Sequence, residues 1–289
     1  MSIQAAMLPD GRRLHLQHGP IDLVIEAFGA RDEVDRAYAQ AVDAFGDVLS
    51  QLVTELPVLR APLGAMPPLV DGPVARRMVT ACWPYRGDFI TPMAAVAGSV
   101  ADHVLQRMVR NVVVQRAYVN DGGDIAICLA PGETLTCGVA HDLKMPAIGG
   151  TIALTADMPV RGVATSGCAC KGRGGRSFSF GIADSVTVLA GDAAAADAAA
   201  TVIANAVDLP GNEAIERVPA CAIDPDSDLG ERLVTYDVAE LDRADIDLAL
   251  RAGAEKAESL RQAGHIYGAV LVLQRRFATV GPSLARLAA

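Results

Sequence analysis

The chain lacks several features that would place it quickly in a functional class. No run of eighteen apolar residues occurs, so no membrane span is expected. The first nineteen residues turn polar within ten positions and lack the apolar core of a secretory signal, which favours a cytoplasmic location. Basic residues are also few: 25 Lys and Arg face 34 Asp and Glu, for a net charge of −9. This balance argues against nucleic acid and anionic membranes as partners.

Common catalytic and metal-binding motifs are missing as well. The sequence has no P-loop, no G-x-G-x-x-G after a strand, no H-E-x-x-H and no G-x-S-x-G, and its five histidines are isolated. Of the six cysteines, only Cys168 and Cys170 lie close together, as C-A-C. Because zinc sites usually need two paired clusters, we predict free thiols in place of a metal centre or disulfides.

The 289 residues suffice for one large domain, and we predict a single domain over residues 1–289. Short β-favouring runs mix with helical patterns and hairpin turns, without regular βαβ alternation, which indicates an α+β fold. We predict an N-terminal hairpin around Gly19-Pro20, a long helix over 31–55, a helix over 92–109 and helices near 192–206 and 240–263. We also predict a buried strand at "DSVTVLA" and a last strand at "YGAVLVLQ".

An almost pure alanine segment, "GDAAAADAAATVIANAV", follows the β-branched run "DSVTVLA". Asp192 is a suitable N-cap, and the alanines would let this helix lie very close to a neighbour or a ligand. Asp197 and Thr201 are four residues apart, so their oxygens share one face and could bind Mg²⁺. The alternative is a solvated Asp197, with Thr201 hydrogen-bonded to its own helix.

Two loops could contact a phosphate-bearing ligand. In "VNDGGDIAI", Gly122 and Gly123 would bring backbone N–H groups close to a ligand, flanked by Asn120 and Asp124; an ordinary hairpin turn is the alternative. The second loop, "GVATSGCACKGRGGRSFSFG", carries a basic cluster that could clamp phosphate or could simply be solvated. Its basic residues are Lys171, Arg173 and Arg176.

Read in order, three stretches resemble motifs of the ApbE superfamily, whose best-known members are FAD:protein FMN transferases. "MAAVAGSVAD" (93–102) is similar to the family's "aiaKGyavD", and "VNDGGDIAI" (119–127) to its "vnaGGdi". "VATSG" (163–167) and "DSVTVLAGDAAAADAAAT" (184–201) resemble its "aTSG…SVTV.a….ADAlAT" core. Further segments are similar to a short, mostly uncharacterised branch of the superfamily.

The resemblance implies an ApbE-like, T-fold-related α+β fold, with mixed sheets and helices packed around a central cleft. It implies FAD or FMN as the cofactor and a Mg²⁺ site formed by Asp197, Thr201 and a backbone carbonyl near Ala95, beside the FAD pyrophosphate. The cofactor-binding residues that it suggests are Asn120, Gly122, Gly123, Asp124, Thr165, Ser166, Gly167, Arg173 and Arg176. The reaction would be flavin transfer or pyrophosphate hydrolysis, with a nucleotide substrate and an acceptor protein as partners.

Two departures from the family pattern keep other functions open. Ala97 stands where the family has Lys, and Phe178 stands near the position of a family His. One alternative is a sulfur-assimilation or sulfur-trafficking protein that uses Cys168 and Cys170, and another is a non-catalytic homolog. We also expect a homodimer, because Val34, Ala41 and Val48 form a second apolar edge on the predicted helix over 31–55.

Overall fold

A computed structural model describes residues 3–140, 148–167, 178–282 and 285–287 of the chain. The strands are β1 (Gln4–Met7), β2 (Leu14–His18), β3 (Ile21–Gly29), β4 (Val114–Asp121), β5 (Asp124–Leu129), β6 (Thr134–Ala140), β7 (Ile148–Thr155), β8 (Gly162–Ser166), β9 (Ser185–Ala190), β10 (Ile215–Pro219), β11 (Leu233–Val238), β12 (Gly268–Leu273), β13 (Arg276–Val280) and β14 (Ala285–Leu287). The helices are α1 (Arg31–Phe45), α2 (Val48–Leu59), α3 (Pro73–Cys82), α4 (Val96–Met108), α5 (Ala193–Ala206), α6 (Ala220–Ile223) and α7 (Arg243–Gln262). Antiparallel sheets packed with helices confirm the predicted α+β class.

Two compact units make up the chain. The first comprises Met1–Leu135, Leu154–Ala164 and Ala190–Ala198, and the second comprises Thr136–Ala153, Thr165–Leu189 and Ala199–Ala289. The single domain and the central cleft therefore remain predictions.

The first unit carries strands in the order β1-β2-β3-β4-β5-β8, and helices α1 to α4 pack on them and on one another. The predicted turn at Gly19-Pro20 joins β2 to β3, which pair antiparallel from Leu14↔Ile25 to His18↔Ile21. A continuous apolar core includes Leu16, Ile25, Phe45 and Met108.

The long helix expected over 31–55 is two helices, because α1 ends at Phe45 and α2 begins at Val48. Gly46 and Asp47 separate them, and both residue types are poor helix formers. Ala41 and Val48 are buried in the core of the unit, so the apolar edge invoked for a homodimer is covered within the chain itself. The homodimer remains a prediction without that support.

The second unit contains the strand order β9-β12-β13, the β10-β11 pair and the three-stranded order β14-β7-β6. All six residues of β9 are buried, as the sequence predicts for this strand. Helix α7 packs on β12 and β13. The predicted strand at "YGAVLVLQ" corresponds to β12, whose six residues are also all buried.

Candidate functional site

In the first unit, the Asp197 side chain lies at the beginning of α4. Its Oδ2 accepts a hydrogen bond from the Gly98 N–H at 3.1 Å, and the carboxylate is half-buried. Gly98 is the third residue of α4, so its N–H has no acceptor inside the helix. Because the positive end of the helix dipole lies here, the position favours a negatively charged carboxylate.

Small residues allow α5 to come this close to α4. A Cβ added at Gly98 would lie 2.3 Å from the carbonyl oxygen of Ala193, a distance that no side chain tolerates. Ala193, Ala194 and Ala196 are themselves buried. The alanine segment therefore serves close packing, as the sequence predicts.

The first turn of α5 is capped by two carboxylates. Asp192 Oδ1 accepts a hydrogen bond from Ala195 N at 2.7 Å, which confirms the predicted N-cap. Asp102 accepts hydrogen bonds from the N–H groups of Ala193 at 3.1 Å and Ala194 at 2.9 Å. No local sequence pattern predicts this role for Asp102, although Asp102 ends the motif "MAAVAGSVAD".

Burial is the main influence on the pKa of Asp102. Loss of hydration and the nearby charge of Asp192 raise the pKa of Asp102 to about 6, against the lowering effect of its two backbone donors and of Arg77. Arg77, on α3, reaches Asp102 with an N–O distance of 3.7 Å. The carboxylate, which lies on α4, is thus held by groups from two other helices, α5 and α3.

Cys82, the last residue of α3, lies in the field of Asp197. Burial and, to a lesser degree, the Asp197 charge raise the pKa of the Cys82 thiol well above its usual value. Such a thiol is a poor nucleophile at neutral pH. Four cysteines in the described part of the chain are free, as predicted: Cys82, Cys128, Cys137 and Cys221.

The Asn120–Asp124 segment is the tight turn between β4 and β5. Gly122 and Gly123 adopt positive φ values of 61° and 114°, and Asn120 Oδ1 accepts the Gly123 N–H at 2.8 Å. A Cβ at either glycine would meet no atom within 4 Å, so this turn faces open space. The geometry is that of a hairpin turn whose backbone is accessible to a ligand.

Asp121, the last residue of β4, is buried next to this turn. It is 8% exposed and lies directly opposite Asp124 across the β4-β5 pair. Burial, followed by the charges of Asp124 and Asp22, raises the pKa of Asp121 to about 8. The sequence shows the acidic residues of this turn but not which of them becomes buried.

In the second unit, the "TSG" residues at the end of β8 are well packed. The Thr165 and Thr187 hydroxyls lie 2.9 Å apart, and Ser166 is buried. Gly167 has a φ of 141°, and a Cβ there would lie 2.6 Å from the Asp184 carbonyl oxygen. Arg173, Arg176, Lys171, Cys168 and Cys170 lie outside the described residues.

The three residues suggested for Mg²⁺ lie on α5 and at the start of α4. Ala95 is the buried N-cap residue of α4, three positions before Gly98, and Thr201 is half-buried one turn after Asp197. Across the described ranges, no group of three or more His, Cys, Asp or Glu side chains could hold a metal ion.

Within the part of the chain that the structure describes, none of the helices is both long and apolar enough to cross a bilayer.

A UPF0280 protein of Archaeoglobus fulgidus is 34% identical over 131 residues, which cover 44% of this chain and 49% of that protein. A UPF0280 protein of Methanothermobacter thermautotrophicus is 36% identical over 151 residues, which cover 51% and 55% of the two chains. The chain thus spans about half the length of the curated relatives it matches.

Among solved structures, the flavin transferase ApbE from Vibrio cholerae matches with a TM-score of 0.46 and 13% identity, over 97% of this chain and 99% of that chain. The apo form of the Pseudomonas stutzeri flavinyl transferase ApbE matches with a TM-score of 0.45 and 13% identity, over 98% and 95%. A family model described as AbpE bacteria matches residues 5–280, so the chain belongs to that family, and the predicted ApbE-like relationship is confirmed.

Proposed function

We propose that this protein binds FAD or a related nucleotide pyrophosphate together with Mg²⁺, and that it acts as a flavin transferase or a pyrophosphatase. The observation that carries the proposal is the Asp197 carboxylate, which lies half-buried against the N-terminus of α4. Family membership supports the same assignment, because the resemblance to the ApbE superfamily implies a metal ligand at this position.

The donor chemistry fits Mg²⁺. This ion prefers oxygen ligands and usually takes one or two carboxylates, with substrate phosphates and water completing its shell. Asp197 supplies a carboxylate, Thr201 supplies a hydroxyl, and the backbone carbonyl of Ala95 is the third proposed ligand. The lack of a larger acidic or His/Cys cluster within the described residues agrees with a cation that is shared with a phosphate-bearing ligand.

When bound, the cation would supply Lewis-acid polarisation of the pyrophosphate. The residues of the chain would bind and orient the nucleotide. The Gly98 N–H holds the Asp197 carboxylate in place, and the turn at Gly122-Gly123 exposes its backbone to a ligand, with the Gly123 N–H donated to Asn120 Oδ1. The remaining proposed contacts to phosphate or flavin come from Asn120, Asp124, Thr165, Ser166, Gly167, Arg173 and Arg176.

Ala97 and Phe178 distinguish this chain from the transferase pattern, so transfer to an acceptor protein is the part of the proposal that depends most on experiment. The alternative sulfur function depends on Cys168 and Cys170, outside the described residues, and it remains a prediction together with the non-catalytic alternative.

Titration with FAD in the presence and absence of Mg²⁺ tests the proposal. Replacing Asp197 by Ala should weaken FAD binding about tenfold or more in Mg²⁺, because one tenfold step corresponds to about 1.4 kcal/mol and a charge-assisted contact is worth at least that. Binding without Mg²⁺ should change little. Asp43→Asn, at an exposed position on α1, is the control and should behave as wild type.

Absence of FAD binding by the wild type at high micromolar concentration would refute the proposal. Equal Mg²⁺ dependence in wild type and Asp197→Ala would remove Asp197 from the metal site.

A further inference from the structure

Helices α4 and α5 exchange hydrogen bonds in both directions. Asp102 lies one turn after Gly98 on α4, and Asp197 lies one turn after Ala193 on α5. The N–H groups of Ala193 and Ala194 donate to Asp102, while the Gly98 N–H donates to Asp197. Each helix therefore supplies a carboxylate to the first turn of the other.

These contacts use the donors of the first turn of α5. Ala193 and Ala194 donate to Asp102, and Ala195 donates to Asp192. Since these three N–H groups are satisfied inside the protein, an external phosphate would have to displace a carboxylate to bind them. Asp102 therefore fixes the position of α5, and a ligand would contact the face of α5 that carries Asp197.

The packing around the first turn of α5 leaves little room for adjustment. A Cβ at Gly98 would overlap the Ala193 carbonyl, and one at Gly162 would lie 2.0 Å from the Asp192 carbonyl carbon. Asp102 is 8% exposed, and a guanidinium nitrogen of Arg77 lies 3.7 Å from its Oδ2. A two-oxygen acceptor fits this space and matches two adjacent N–H donors.

We propose that Asp102 is a positioning residue that holds the Asp197 carboxylate in its metal-binding orientation by fixing the first turn of α5 against α4. This inference rests on the proposed function only for the role of Asp197. The coupling between the two contacts is a property of the protein without any ligand.

The test is amide hydrogen exchange of the ligand-free full chain, measured by NMR in wild type, Asp102→Asn and Asp192→Asn. Asn at 102 keeps one acceptor and places an NH₂ group against an N–H donor, so both helix contacts weaken. We expect exchange at Gly98, whose own partner is Asp197, to rise about tenfold, the equivalent of about 1.4 kcal/mol. Asp192→Asn also removes one negative charge near the N-terminus of α5, but Asn remains a good N-cap. The exchange rate at Gly98 should therefore change less than about twofold.

Faster exchange at Ala193 and Ala194 with an unchanged Gly98 would overturn the proposal, because Asp102 would then be a local cap only. If Asp102→Asn does not fold, Asp102→Ser keeps a single acceptor oxygen without the opposing donor, and the same increase in exchange at Gly98 is expected.

A second readout is FAD titration: Asp102→Asn should raise the half-saturating Mg²⁺ concentration severalfold and leave Mg²⁺-independent binding unchanged. If the wild type shows no Mg²⁺-dependent binding of FAD, the proposed function is refuted, whereas the hydrogen-exchange result still stands.

Discussion

Replacing Gly162 by Ala is expected to destabilise the protein by about 3 kcal/mol, at the upper end of the range for overpacked sites. The new Cβ would lie 2.0 Å from the Asp192 carbonyl carbon and 2.1 Å from its oxygen, and backbone atoms cannot rotate away as a flexible side chain can. Gly162 begins β8 and pairs with Ala126 of β5. Gly162 therefore cannot move away from the Asp192 backbone without breaking sheet contacts. Thermal unfolding should show a midpoint lowered by roughly 5–10 °C.

Gly191→Ala is the matched control for this substitution. Gly191 precedes Asp192, and a Cβ there would meet no atom within 4 Å. The control should leave the midpoint within about 2 °C of wild type, because surface substitutions usually change stability by less than about 0.5 kcal/mol. Equal midpoints for Gly162→Ala and Gly191→Ala would show that the first turn of α5 can shift, and would weaken the argument for close packing at this point.

Replacing Asp121 by Asn is expected to remove part of the pH dependence of stability. The pKa of this buried carboxyl is raised from 3.8 to about 8, so between these values the folded state binds more protons than the unfolded state. The free energy of unfolding of the wild type should therefore fall as pH rises from 5 to 8, by at most about 1.4 kcal/mol per pH unit for this one proton. The contribution is fully present below the unfolded pKa and is lost as pH approaches the folded value.

Denaturant unfolding at several pH values between 5 and 8 measures this effect. In Asp121→Asn the slope should become less negative, and the gain in stability over wild type should be largest at pH 8, since the Asn amide carries no charge. Asp43→Asn, at an exposed site, should run parallel to wild type. Parallel curves for Asp121→Asn and wild type would contradict the raised pKa. A window from pH 6.5 to 8 separates Asp121 from Asp102, whose pKa is about 6.

The sequence by itself determined the features that depend on neighbours a few residues away. The Gly122-Gly123 turn follows from the need for positive φ, and the N-cap at Asp192 follows from a carboxylate three residues before an unpaired N–H. The buried strand β9 follows from its β-branched run. The family motifs supplied the order of these elements and the choice of Asp197.

Only the tertiary structure decided the long-range relations. Gly98 and Asp197 are 99 residues apart in sequence, and Asp102 and Ala193 are 91 apart, so no local pattern reports their contacts. The same holds for Asp121, because its raised pKa depends mainly on burial by the surrounding fold. Short-range preferences act on backbone angles within one or two turns, whereas close helix contacts and desolvation arise only when separate segments pack together.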